Sequence, residues 1–234
     1  MGLEVLLIVI AGVIRGYTGF GFSVIAAMCL SFVYPPIEAV FLAITLDLLS
    51  SLTLLRNANK HSSRGLVYPL VFGMVLSLPL GLVFVTSVSP EGIQYFIAFL
   101  SFVAGALILM NFKLHWLNER FAFGAGAVSG FCMTTASAGG PPLILYLMNL
   151  SVKQDELRST SILFFFASSL LSFFGLYYIQ SIELGVLFQG VALFPAALLG
   201  NVIGGWAFKR WPVESPTRVV APILMSLSVL VFIS

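Results

Sequence analysis

The sequence predicts an all-α membrane protein built from two inverted repeats, each with one re-entrant broken-helix hairpin and three transmembrane helices. Three observations predict this class: the composition, the interruption of two apolar regions near their middles, and the one-sided distribution of the basic residues. Of the 234 residues, 59% are hydrophobic and 9% are charged, and the mean hydropathy is +1.07. Soluble proteins carry roughly 25% charged residues. The composition therefore excludes a soluble catalytic domain, and we predict that the protein is not an enzyme.

Six uninterrupted apolar segments are long enough to cross a bilayer, which takes about 17 to 25 helical residues. Charged loops or Pro/Gly breaks separate them from one another. In order, they cover residues 38–55, 65–86, 92–112, 156–178, 184–208 and 216–232.

Two further apolar regions, residues 3–33 and 121–150, are interrupted near their middles. The first interruption is the glycine-rich segment 16–21, and the second, 132–142, ends in Gly139-Gly140-Pro141-Pro142. The uninterrupted pieces hold between 8 and 13 residues. A helix of about 12 residues is about 18 Å long, which is too short for a core of about 30 Å. Each region is therefore predicted to form a hairpin of two short helices.

The two halves of the chain, residues 1–117 and 118–234, are predicted to be repeats within a single transport domain. Glycines recur at matching positions, with a shift of 114 before the interruption and of 119 after it. The matching pairs are Gly12 with Gly126, Gly16 with Gly130, Gly21 with Gly140, and Gly81 with Gly200. Paired broken segments of this kind are typical of transporters built from inverted repeats.

The basic residues favour hairpins over single crossings. If both interrupted regions return to the side from which they entered, every Lys and Arg except Arg15 falls on one side. The opposite loops, around Glu91 and Glu183, then hold no basic residue. If each region crossed once, the same ten residues would divide five and five, which the positive-inside rule disfavours. Three crossings per half is an odd number, so the halves are predicted to be inverted and their hairpin tips to meet near the midplane.

Arg15 and Asp47 are the principal candidates for function because charges at membrane depth are costly unless they are paired or face water. The guanidinium of Arg15 suits an anionic oxygen group, and Asp47 is a candidate proton-coupling residue. Two alternatives stay open: Arg15 and Asp47 form a structural ion pair, or Arg15 reaches the interface from a shallow hairpin.

The interruptions supply further candidates, because a helix that begins at mid-membrane directs free amides toward an anion. Hydroxyl groups nearby add donors, although a Ser or Thr in a helix often bonds to its own backbone instead. The predicted binding residues are Arg15, Tyr17, Thr18, Gly19, Gly21, Ser23, Thr134, Thr135, Ser137, Gly139 and Gly140.

No Cys or His pattern has the spacing of metal ligands, so we predict neither a metal nor another cofactor. The basic residues lie in short loops instead of forming a stripe, which argues against a nucleic-acid partner. The expected partners are a small anionic substrate and the lipid bilayer, and the sequence leaves both a monomer and a homodimer open.

Two stretches resemble the signature regions of the TauE/SafE sulfite-exporter family of bacterial membrane transporters. The first is Gly16-Tyr17-Thr18-Gly19-Phe20-Gly21-Phe22 with the later Pro35-Pro36-x-Glu38-Ala39, and the second is Gly130-Phe131 followed by Gly139-Gly140-Pro141-Pro142. The resemblance covers nearly the whole chain, with departures at Phe22-Ser23 and at Thr134 to Ala138.

This resemblance implies a multi-pass protein of the bacterial inner membrane that transports small sulfur-containing or organic anions such as sulfite, sulfoacetate or sulfonates. It further implies coupling to the proton gradient, with export or uptake as the direction; we expect export. A passive anion channel is the alternative, because hairpins that meet at the midplane also build selectivity filters.

Overall fold

The computed structural model describes residues 2–18, 20–110, 117–150, 152–179, 182–211 and 216–233. These residues form α-helices and one short 3-10 turn, Glu119–Phe121, without a β-strand, which confirms the predicted all-α class. The helices are α1 Gly2–Thr18, α2 Phe22–Leu30, α3 Pro36–His61, α4 Arg64–Ser87, α5 Pro90–Leu109, α6 Ala122–Ala136, α7 Gly140–Asn149, α8 Gln154–Ile179, α9 Leu184–Arg210 and α10 Pro216–Ile233.

Five helices in the described part of the chain are long and apolar enough to cross a membrane. They are the first part of α3, Pro36–Leu55, together with α4, α5, α8 from Asp155, and α9. Five of the six predicted spans therefore correspond to helices of spanning length. The sixth corresponds to α10, Pro216–Ile233, whose apolar segment among the residues with described side chains is Val220–Ile233. Residues 111 and 112 of the predicted third span lie outside the described residues.

Both interrupted regions form pairs of helices, and the second break is narrower than the sequence predicts. The predicted interruption covers residues 132–142, whereas α6 continues to Ala136 and α7 begins at Gly140. Residues 132–136 contain no helix breaker, and Pro141 and Pro142 lie in the first turn of α7, where no amide donor is needed. Ser137, with a left-handed φ of 53°, ends α6. Thr134 and Thr135 therefore belong to the last turn of a helix and not to a loop.

In each helix pair, the beginning of the first helix lies near the end of the second. Tyr34, which follows α2, shares a hydrogen bond with Glu4 at the start of α1. Partial burial, followed by this contact with the Glu4 carboxylate, raises the pKa of the Tyr34 hydroxyl. In the second pair, the Tyr146 hydroxyl in α7 donates to the carbonyl of Asn118 just before α6, at 3.1 Å.

Helix α1 packs along α9, and α6 packs along α4, at distances that only glycine allows. A Cβ atom added at Gly16 would lie 2.2 Å from the carbonyl oxygen of Asn201 on α9. A Cβ atom added at Gly126 would lie 2.0 Å from the carbonyl oxygen of Leu70 on α4. Backbones thus touch directly, as small residues permit between membrane helices.

Helices α3 and α8 pack against each other in the interior, and α5 packs against α10. The rings of Phe41 on α3 and Phe173 on α8 are stacked with centroids 5.0 Å apart. Asp47 on α3 and Ser169 on α8 lie in the same contact, which places polar groups at the centre of the helix bundle.

The glycine contacts predict a large difference between two substitutions on the same helix. Gly126→Ala should destabilise the protein by about 1–3 kcal/mol, because the methyl group forces α6 away from α4. Gly124→Ala should be neutral or stabilising by up to about 1 kcal/mol, because alanine favours helix and, apart from the adjoining backbone, no atom of the described residues lies within 4 Å of the added methyl. Thermal unfolding of both variants in detergent measures the difference. Equal stability of the two variants would contradict the close α4–α6 contact.

Candidate functional site

Arg15 in the last turn of α1 forms an ion pair with Asp47 on α3. The Nη1 group of Arg15 donates to Oδ1 of Asp47, and its Nη2 group donates to the Ser51 hydroxyl at 2.9 Å. Both charged side chains are 4% exposed. The sequence left open whether these two residues meet, and the structure brings them together.

The second carboxylate oxygen of Asp47 also accepts a hydrogen bond. The Ser169 hydroxyl on α8 donates to it at 2.7 Å. The guanidinium carbon of Arg15 also lies 5.6 Å from the ring centre of Phe22, at the start of α2. Burying charges is costly, and such hydrogen bonds offset part of that cost. The pair therefore joins α1, α3 and α8 at one point.

A cavity of about 170 Å³ lies beside this pair. Its polar lining consists of Arg15, Thr53, Arg158 and Asn201. Arg158 is exposed, whereas Arg15 is buried, so the cavity connects an accessible guanidinium group with a shielded one. From the sequence, Arg158 has no expected role beyond its part in the one-sided distribution of the basic residues. No local pattern distinguishes it from the other basic residues near helix ends.

Two predicted binding residues near the first break use their hydroxyl groups within the protein. The Tyr17 hydroxyl donates to the carbonyl oxygen of Trp211 at 2.7 Å, which ties the end of α1 to the end of α9. The Thr18 hydroxyl bonds to the carbonyl oxygens of Ile14 and Phe20 at 2.7 and 2.9 Å. Gly19 lies outside the described residues.

The two threonines at the end of α6 bond to their own helix. Thr134 is 3.1 Å from the Gly130 carbonyl oxygen, and its hydroxyl also pairs with that of Ser172 on α8 at 2.9 Å. Thr135 donates to the Phe131 carbonyl oxygen at 2.8 Å. These bonds are the backbone contacts that hydroxyl side chains often form in helices.

The remaining predicted residues lie where the two breaks adjoin. A Cβ atom added at Gly140 would lie 3.8 Å from the amide nitrogen of Gly21, so the starts of α2 and α7 are neighbours. Ser23 is buried nearby in the first turn of α2. Ser137 is fully buried, and within the described part of the chain its hydroxyl has no hydrogen-bond partner. Gly139 packs tightly, since a Cβ there would lie 2.7 Å from the Ser129 carbonyl oxygen.

A helical chain with several membrane-length apolar helices, two broken helix pairs and a buried ion pair is a multi-pass membrane protein. The family model for the sulfite exporter TauE/SafE matches residues 4–233, and the chain belongs to this family of transporters. The family resemblance of the two glycine-rich stretches is thereby confirmed. No curated protein and no solved structure shows significant similarity to the chain.

Removing one member of the ion pair should destabilise the protein more than removing both. Arg15→Ala leaves the buried Asp47 carboxylate without its counter-charge, and we expect a loss of about 3–5 kcal/mol. Adding Asp47→Asn should restore a large part of that loss, because the remaining buried group is neutral. Unfolding in detergent measures Arg15→Ala, Asp47→Asn and the double variant, with the exposed Arg210→Ala as the control. Additive losses in the double variant would contradict the pairing.

Proposed function

We propose that this protein is a secondary transporter that exports small sulfur-containing or organic anions, such as sulfite, sulfoacetate or other sulfonates, with coupling to the proton gradient. Membership of the TauE/SafE family supports anion transport. The observation that carries the proposal is the buried Arg15–Asp47 pair, because it adjoins a cavity and holds both a cationic anchor and a proton acceptor.

In this mechanism, the transported anion and the Asp47 carboxylate compete for Arg15. The guanidinium fork of Arg15 matches the geometry of a sulfite, sulfonate or carboxylate group. Binding of a proton to Asp47 removes the charge that holds Arg15, which frees its donors for the anion. Loss of the proton re-forms the ion pair and expels the anion. Ser51 and Ser169 hold the two side chains in place during this exchange.

The helix breaks contribute the second part of the proposed site. Helices α2 and α7 begin beside each other at Gly21 and Gly140, and helix beginnings attract anions through their free amides. The candidate side-chain donors there are Ser23 and Ser137, whose hydroxyl has no hydrogen-bond partner among the described residues. Tyr17, Thr18, Thr134 and Thr135 are weaker candidates because their hydroxyls already have protein partners.

The proposed architecture is two inverted repeats with re-entrant hairpins. The contacts of Glu4 with Tyr34 and of Tyr146 with Asn118 support it, because each keeps both ends of one helix pair together. The packing of α1 on α9 and of α6 on α4 supports the repeat, since these two pairs are equivalent under it.

Individual atoms support the same equivalence. A Cβ atom at Gly200 on α9 would meet the carbonyl oxygen of Val9 and the amide nitrogen of Val13. A Cβ atom at Gly73 on α4 would meet the carbonyl oxygen of Phe123 and the amide nitrogen of Ala127. By its packing, Gly200 therefore corresponds to Gly73. The sequence pattern pairs Gly200 with Gly81 instead, which lies about two turns further along α4.

The proposed orientation places the basic helix ends in the cytosol of a bacterium, with the protein in the inner membrane. Labelling of single introduced cysteines tests this orientation. Substitutions at Glu91 and Glu183 should react with an impermeant thiol reagent added from the periplasm, whereas substitutions at Lys60, Lys153 and Lys209 should not. The parent chain, whose Cys29 and Cys132 are buried, supplies the background. Periplasmic labelling at Lys153 or Lys209 would overturn the hairpin topology.

Transport into proteoliposomes tests the proposed proton coupling. The parent protein should accumulate sulfite when a pH gradient is imposed, and Asp47→Asn should abolish that accumulation while some anion binding remains, because the amide cannot carry a proton. Asp155→Asn, on an exposed acid at the start of α8, is the matched control. Gradient-driven accumulation by Asp47→Asn would exclude Asp47 as the coupling group. Flux that neither saturates nor responds to the gradient would instead favour an anion channel.

A further inference from the structure

We propose that Arg158, together with Asn201 and Arg15, forms a loading site for a compact oxyanion, in which Arg158 is the first residue to bind it. This inference rests on the proposed function and assigns a role to a residue that the mechanism above does not use. The site is the cavity of about 170 Å³ that Arg15 and Arg158 share.

The cavity lies toward the end of the bundle where the basic residues collect. Arg158 is in the first turns of α8, whereas Asn201 and Gly205 are in the last turns of α9. Lys209 and Arg210 follow on α9, and Lys153 precedes α8. A cleft surrounded by charges of one sign concentrates ions of the opposite sign. Anions therefore reach this cavity preferentially from the basic side.

The hydrogen-bond donors of Arg158 are available for a ligand. Within the described part of the chain, its exposed guanidinium group has neither an ion pair nor a hydrogen bond, in contrast to Arg15, which bonds to Asp47 and Ser51. A structural role in an ion pair would leave a partner beside it. An unoccupied guanidinium on the wall of a cavity instead has its planar donors available for a ligand.

Asn201 supplies the second observation that points to a ligand. Its side-chain oxygen is shielded from solvent and has no hydrogen-bond partner among the described residues. Buried polar atoms of this kind are nearly always satisfied, so an unsatisfied one beside a cavity indicates a missing partner. The oxygen is an acceptor and cannot itself bind an anion, but rotation of the amide directs its two N–H donors into the cavity, where an oxyanion can accept them.

The volume and the donors define the ligand class. A volume of about 170 Å³ is below the roughly 300–1,000 Å³ of sites for drug-sized ligands and equals about six water molecules at about 30 Å³ each. Two guanidinium groups and one amide require an anion with several oxygen acceptors. A small oxyanion such as sulfite or sulfate, or a two-carbon sulfonate, meets both requirements, whereas chloride lacks the separate acceptor atoms.

Binding of sulfite and of sulfate to the purified protein in detergent, measured by calorimetry, tests the loading site. Arg158→Gln should weaken binding about tenfold or more, the scale of a lost hydrogen bond to a charged group. Arg158→Lys should show an intermediate loss, because it keeps the charge and loses the fork. Arg210→Gln removes the same charge from the same end of the bundle but does not line the cavity, and it should bind like the parent. In proteoliposomes, Arg158→Gln should raise KM for sulfite and leave the maximal rate largely unchanged.

The outcomes separate this inference from the proposed function. Weaker binding by Arg158→Gln in a protein that transports no anion would support the loading site and reject the transporter. Transport and binding by Arg158→Gln with the affinity of the parent would reject the loading site and retain the transporter. An equal loss in Arg210→Gln would attribute the effect to general surface charge, and absence of sulfite and sulfate binding to the parent would also overturn the loading site.

Discussion

The free-energy cost of burying a positive and a negative charge inside an apolar helix bundle determines how the helices meet at the centre of this protein. Arg15 and Asp47 are almost completely shielded, and neither is stable there alone. Their mutual hydrogen bond, together with those of Ser51 and Ser169, requires α1, α3 and α8 to meet at one level. A polar interaction thus fixes the relative positions of helices whose apolar surfaces alone would permit several arrangements.

Close glycine contacts with α9 hold α1 at the depth where Arg15 reaches Asp47. Gly12 and Gly16 lie directly against the backbone of α9, and Tyr17 is tied to Trp211 at the end of that helix. In lipid, no hydrophobic effect drives two apolar helices together, so close packing and hydrogen bonds supply the attraction. The stability of the buried pair and the fit of α1 on α9 therefore depend on each other.

In the proposed transporter, the ion pair joins three helices, and protonation of Asp47 can break it beside a cavity that can receive an anion. A carboxylate that gains and loses a proton can release or recapture the neighbouring guanidinium without a large movement of the backbone. In the proposed loading site, Arg158 extends this arrangement toward the exposed side of the cavity, where the nearby basic residues would attract anions. An anion would pass from an exposed arginine to a buried one, losing water as it gains fixed donors.

The sequence alone is enough to establish the class of protein, because a bilayer admits long apolar segments only as structures whose backbone groups are satisfied internally. It also located the two breaks, since glycine and proline act locally, although it made the second too wide by overlooking that Thr134 and Thr135 are stable within a helix. It singled out Arg15 and Asp47 because a charge in an apolar segment is conspicuous. The folded structure was needed to show that these two residues, 32 positions apart, form a pair, that Ser169 joins them, and that Arg158 and Asn201 share a cavity with Arg15. Such contacts depend on how the helices pack, which no local pattern of residues specifies.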